Sequence, residues 1–142
     1  MPLASGRPEE VADDEVLQRA ITSNSQIAKT LLRPRPSLFS PPPKIREISV
    51  NRISGLNEDE VKALADQVAK ARGKASSIGY ASFTADFPRS LGLETVPAEP
   101  PLHHANISGW PEDSDPDEQR KRELQLAKAF CEQATPSVVW ES

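Results

Sequence analysis

The chain is predicted to be an α+β protein: a small, mainly antiparallel sheet with two helices on one face, in the order β-α-β-β-(β)-α-β, preceded by an N-terminal amphipathic helix and a proline-rich strap. Three observations lead there. Apolar residues make up 37% of the 142 positions, below the globular norm of roughly 45–50%, which implies a modest core. Two segments with helical spacing and clear start signals alternate with short β-like runs bounded by glycine or proline. The chain also carries 14 prolines against 6 glycines, many of them between residues 34 and 43.

Residues 1–13 show no apolar periodicity and read as a disordered N-terminus. In residues 14–32, Val16, Leu17, Ala20, Ile21, Ile27, Ala28, Leu31 and Leu32 recur at spacings of three and four, the mark of an amphipathic helix. Asp13 or Asp14 would cap it, Glu15 suits its positive end, and Pro34 forbids its continuation. Residues 33–44 are too rich in proline for helix or ladder and read as an extended linker, with Leu38 and Phe39 its only apolar area worth burying.

Residues 45–142 form the predicted α+β domain. Ile45, Ile48, Val50 and Ile53 suggest a strand over 44–53. Asn57 with Glu60 three residues on resembles a capping box, Val61, Leu64, Ala65, Val68 and Ala69 follow at helical spacing, and Gly73 supplies the stop. Residues 76–83 are apolar on both faces and read as a central strand. Residues 86–90 read as a turn, 91–96 as a third strand and 104–107 as a short edge strand. Asp115 or Ser114 caps a second helix with Pro116 in its first turn; Leu124, Ala127, Phe130, Cys131 and Ala134 form its stripe, and Pro136 ends it before a last strand at 138–140.

The formal charge is −4, and acids and bases alternate along 117–123 as on a solvated helix face, which argues against a phosphate-tracking surface. Arg33, Arg35, Lys44 and Arg46 are the basic residues on which a nucleic-acid contact would rest. No apolar run approaches the roughly 18 residues of a membrane span. A lone Cys131 excludes an internal disulfide, suits a reducing compartment, and with the absence of a leader-like N-terminus leads to an expected cytoplasmic location. No cofactor is expected, and no metal, since His103, His104, Cys131, Asp113 and Asp115 have no zinc-like spacing.

His103 and His104 are the only histidines. On a strand they would point to opposite faces, so one alone would serve a site as general base, His104 first, with Asp86 or Glu99 to orient it. Cys131 lies on the apolar stripe and reads as core. Trp110, on a surface turn, is a candidate interface anchor, whereas Trp140, on a terminal strand, reads as closing one end of the core.

Ser49-Val50, Gly79-Tyr80-Ala81 and the turn from Glu99 to His104-Ala105 together resemble a group of small uncharacterised bacterial proteins. In these a proline-rich turn holding an Asn-Pro-x-His-Ala motif precedes the closing helix; here Pro101-Leu102 stands in place of Asn-Pro. The resemblance spans about 90 residues and implies a bacterial or phage-related origin and an accessory or defence-type setting, and it brings no known activity with it.

The function expected from the sequence is a non-catalytic interaction module or accessory subunit. It would dock on a larger protein, or on a second copy, through Leu17, Ile21, Ile27, Leu31, Leu38, Phe39 and Trp110, without nucleic acid or membrane. A helix of this length is marginal in water unless its stripe is covered. A small hydrolase or nuclease using His104, with His103 and Asp86, is the alternative.

Overall fold

The computed structural model describes residues 2–140. It is an α+β fold built on a six-stranded, wholly antiparallel sheet: β1 (Val16–Ile21), β4 (Ile48–Arg52), β5 (Gly79–Thr84), β6 (Glu94–Pro97), β7 (His104–Ser108) and β8 (Val138–Val139), in the order β6-β7-β4-β1-β5-β8. A two-residue pair, β2 (Ile27–Ala28) and β3 (Arg33–Pro34), forms a separate small ribbon. The helices are α1 (Glu58–Ala71), the short α2 (Asp86–Ser90) and α3 (Pro116–Gln133).

The predicted N-terminal helix is absent. Val16–Ile21 is instead a central strand, paired through all six residues with β5 and through Leu17 and Gln18 with β4. A helical wheel places Gln18 and Arg19 on the wet side; the sheet buries both. Gln18 is satisfied by donating to the Val61 carbonyl at 3.0 Å and accepting from Asn51 at 2.9 Å. Arg19 donates to the carbonyls of Leu38 and Ser49, both at 2.8 Å. A strand covered on both faces carries apolar residues on both, and Val16-Leu17 with Ala20-Ile21 mimics a helical repeat over so short a run.

The proline-rich segment is not a free strap. Pro36–Phe39 forms a 3-10 turn with Leu38 and Phe39 fully buried. Phe39 stacks on Phe130 of α3, ring centres 5.0 Å apart, and meets Phe83 of β5 edge-on at 6.1 Å. Residues 14–44 therefore share one core with residues 45–142 and are not a separate arm and linker. Of the residues proposed to bind a partner, Leu17, Ile21, Ile27, Leu38, Phe39 and Trp110 are core, and only Leu31 is exposed, at 67%.

α1 begins as its capping box predicts, the Asn57 side chain accepting from the Glu60 N–H at 2.9 Å and Glu60 accepting from the Asn57 N–H at 3.2 Å. The Asp115 side chain caps α3 by accepting from the Asp117 N–H at 3.0 Å. The two helices occupy opposite faces of the sheet, not one. Gln18 reaches α1, while its neighbour Leu17 shares a face with Phe83, and Phe83 packs edge-on against Phe130 of α3 at 5.0 Å. Strand alternation sends adjacent residues to opposite sides. β7 is an inner strand between β6 and β4, so the sheet edge falls on β6.

Candidate functional site

The two histidines are held in different settings. His103 has a left-handed backbone, φ 70°, and its Nδ1 accepts from Arg7 Nε at 2.8 Å. An arginine can only donate, so that bond requires neutral imidazole with the proton on Nε2. Burial lowers the His103 pKa from its usual value, the Arg7 charge adds to this, and Glu99 acts against it. Glu99 accepts from the Ser5 hydroxyl at 2.5 Å, from the Ser5 N–H at 3.0 Å and from the His103 N–H at 3.1 Å. Burial pushes the Glu99 pKa up, but these bonds outweigh it and leave the carboxyl below its usual range. Ser5, Arg7, Glu99 and His103 thus clamp the N-terminal segment onto the 99–103 turn, with the serine bonded to the acid and not to the imidazole.

A pH prediction follows. Both groups have depressed folded-state pKa values, so both contribute stability that is present at neutral pH and lost on acidification. His103 begins to charge below its ordinary 6.5, against Arg7 and Arg52, with Glu99 and Glu60 the opposing carboxylates; Glu99 follows below 4.5. The protection factors of the Ser5 and Arg7 amides, corrected for the intrinsic pH dependence of exchange, should fall between pH 6.5 and 4.5, before those of the sheet amides respond. Protection at those two amides that stays flat down to pH 4.5 would exclude the clamp as described.

His104 faces the α1 side of the sheet opposite Asn51. Burial lowers its pKa, the side chain of Asn106 raises it, and the Arg19 charge lowers it. Among the described residues no carboxylate is bonded to it. Asp86 follows β5, three strand positions from β7, about 14 Å away at the usual strand spacing; there its carboxylate accepts from the Thr84 hydroxyl. Glu99 is committed to Ser5 and the His103 N–H. Cys131 lies on α3, across the sheet from His104, with burial raising its thiol to about 11, which keeps it protonated and unreactive. Among the described residues no group of three or more His, Cys, Asp or Glu is placed to hold a metal, and no helix is long and apolar enough to cross a membrane. Of the basic set, Arg46 donates to the carbonyls of Trp110 and Pro111 and sits 3.7 Å from Glu112, and Arg33 lies 4.0 Å from Glu132.

A concavity lies elsewhere, between the first turns of α1 and the β5–β8 end of the sheet. It measures about 700 Å³, within the range of ligand pockets. Val16, Tyr80 and Val138 form its floor, the turn carrying Ile53 and Leu56 closes one end, Glu58, Asp59 and Lys62 line the helix side, and Trp140 stands at the other end. Tyr80 and Trp140 make a corner, ring centres 5.4 Å apart and tilted by 43°. Burial raises the Tyr80 pKa, and the negative charge of Glu58 adds to it.

The Trp140 ring is held in place. Its Nε1 donates to Ser77 Oγ at 2.8 Å, and Ser77 donates from both hydroxyl and N–H to Asp66 Oδ1 at 2.6 and 2.8 Å. Lys62 donates to Asp66 Oδ2 at 2.9 Å, and its ammonium lies 5.6 Å from the Trp140 ring centre. Burial alone would raise the Asp66 pKa, but the bonds from Ser77 and Lys62 lower it overall. Strand β8 can carry Trp140 here because its partner is Gly79: a Cβ at that position would come within 2.0 Å of the Val138 carbonyl oxygen. Thus Trp110, expected as the surface anchor, is buried with its Nε1 donating to the Ile107 carbonyl at 3.0 Å. Trp140, expected as core, stands half-open in the cleft. The only sequence signal for the cleft was a tryptophan near the end of the chain; Tyr80, Leu56 and Lys62 carried none.

No family model matches this chain, and neither a curated protein nor a solved structure does so.

Proposed function

We propose that this protein is a non-catalytic interaction module, an accessory subunit that holds a segment of a larger protein partner in the cleft between α1 and β8. The observation that carries this reading is the Tyr80–Trp140 corner, fixed before any ligand arrives by the chain of bonds through Ser77 to Asp66. Aromatic residues held rigidly in a concave site contribute large contact area without an ordering cost on binding. An N-terminal helix offers no docking route, because that segment is a central strand of the sheet.

Strand addition at the far edge of the sheet is less suited. The Ala98 N–H donates to the His104 carbonyl, so with the β6–β7 register the backbones of Thr95 and Pro97 turn outward. Proline has no N–H to offer, and the Thr95 N–H is taken by the Glu94 carboxylate at 2.9 Å. An edge closed in this way resists pairing.

The test is purification of the tagged full chain from its native host, with Trp140→Ala and His104→Ala run in parallel. A stoichiometric partner should accompany the wild type and the His104 variant and be lost with Trp140→Ala. A hot-spot tryptophan contributes about 2 kcal/mol or more, on the order of thirty-fold in affinity. A partner retained undiminished by Trp140→Ala would sink the reading. Far-UV circular dichroism of the variant checks that the sheet persists.

A further inference from the structure

We infer that the cleft selects a cationic side chain, arginine or lysine, from the docked segment, seating it against the Tyr80 and Trp140 rings with Glu58 and Asp59 as its counter-charges. This rests on the docking reading above and adds the chemistry of what docks.

The faces of aromatic rings are electron-rich and attract cations, tryptophan most strongly. The site already shows this with a residue of its own, since the Lys62 ammonium lies 5.6 Å from the indole centre. Lys62 is matched by Asp66 at 2.9 Å, so it does not draw on the charge of Glu58 or Asp59. Those two carboxylates line the cleft, and among the described residues no ion pair engages either.

The start of α1 works against a cation, because a helix N-terminus carries about half a positive charge. Two full carboxylates on the cleft wall exceed that, and Glu60 beside them adds a third acid in the same turn. With Lys62 paired to Asp66, acid is in excess on the helix wall of the cleft. An anionic segment would meet repulsion from the carboxylates, and a neutral one would leave the Tyr80 ring without a cation and Glu58 and Asp59 without counter-charges.

The experiment titrates the full chain with N-acetylarginine methylamide, N-acetyllysine methylamide and the neutral isostere N-acetylcitrulline methylamide, following the Trp140 indole N–H by NMR. The arginine and lysine derivatives should shift that resonance saturably. Citrulline should bind on the order of ten-fold more weakly, the combined size of one cation–π contact and one exposed charge pair. In the Glu58→Gln/Asp59→Asn variant, which keeps the Asn57–Glu60 cap, the preference should fall to about two-fold or less. Equal binding of arginine and citrulline would overturn the inference and assign the cleft to a neutral segment, leaving docking itself intact. Silence of the indole toward all three up to their solubility limit would also overturn it, while partner loss with Trp140→Ala decides the docking reading separately. An indole shift on raising the protein concentration alone, with doubled mass in solution, would instead assign the cleft to a second copy.

Discussion

Replacing Glu15 with alanine is expected to cost about 3–5 kcal/mol of stability, the range for removing one partner of a buried ion pair. Arg52 is fully buried on β4. Its guanidinium grips Glu15 with two parallel bonds, Nε to Oε1 at 2.5 Å and Nη2 to Oε2 at 2.8 Å, and its Nη1 donates to the Pro8 carbonyl at 2.8 Å. With the carboxylate gone, a full positive charge stays inside the protein with only that carbonyl to satisfy it. Arg7, 3.7 Å from the same Glu15 oxygen, then adds repulsion. Against a total stability of about 5–15 kcal/mol for a domain of this size, the loss should be plain in urea unfolding. Glu15→Gln, which keeps an acceptor oxygen, should fall between wild type and Glu15→Ala. Replacing both partners by apolar residues, as in Glu15→Leu/Arg52→Met, should recover much of the loss, because no charge is left stranded. A loss below about 1 kcal/mol for Glu15→Ala would mean the pair behaves as an exposed one and would refute its assigned role.

Phe130→Ala should be comparably damaging, at about 3–5 kcal/mol. Four aromatic rings converge on Phe130: Phe39 stacked at 5.0 Å, Phe83 and Phe87 edge-on at 5.0 and 5.2 Å, and Trp110 at 6.1 Å. These come from the proline-rich segment, β5, α2 and the turn after β7, so one truncation opens a cavity where four parts of the chain meet. Phe39→Ala is the sharper companion. A free strap would tolerate it with a loss within about 0.5 kcal/mol, as surface substitutions do, whereas a core role requires a loss on the scale of Phe130→Ala. Equilibrium unfolding of both variants, with Trp110 fluorescence as a local reporter, decides between those outcomes.

Local chemistry was legible where it acts within a few residues. The start of α1 could be read from Asn57 and Glu60, and that of α3 from Asp115 and Pro116, because a cap satisfies N–H groups two or three positions away. The strand at 79–84 was legible because Tyr80, Ala81 and Phe83 make an apolar and aromatic run, with Ala81 and Phe83 on its buried face. Burial on both faces hid β1: Gln18 and Arg19 look like surface residues until Val61, Leu38 and Ser49 supply distant carbonyls for them to bond.

The candidate site was hidden for a related reason. Tyr80 and Trp140 are 60 positions apart in sequence, and their corner exists because β8 pairs with β5 beside a glycine that lets the backbones approach. His103 and His104 stood out by residue type alone, yet the fold brings them an arginine and an asparagine, and among the described residues no orienting acid for His104.

By itself, the order of residues determined the α+β class, the two long helices with their caps, and most strand positions. These depend on periodicity and on bonds that close within one turn. Only the tertiary structure decided that the N-terminal apolar run is the middle of the sheet, that proline-flanked Phe39 is core, that the helices take opposite faces, and which tryptophan meets solvent. Each of those depends on partners dozens of residues away, and the free energy of burying a side chain belongs to the packed neighbourhood, which no local window contains.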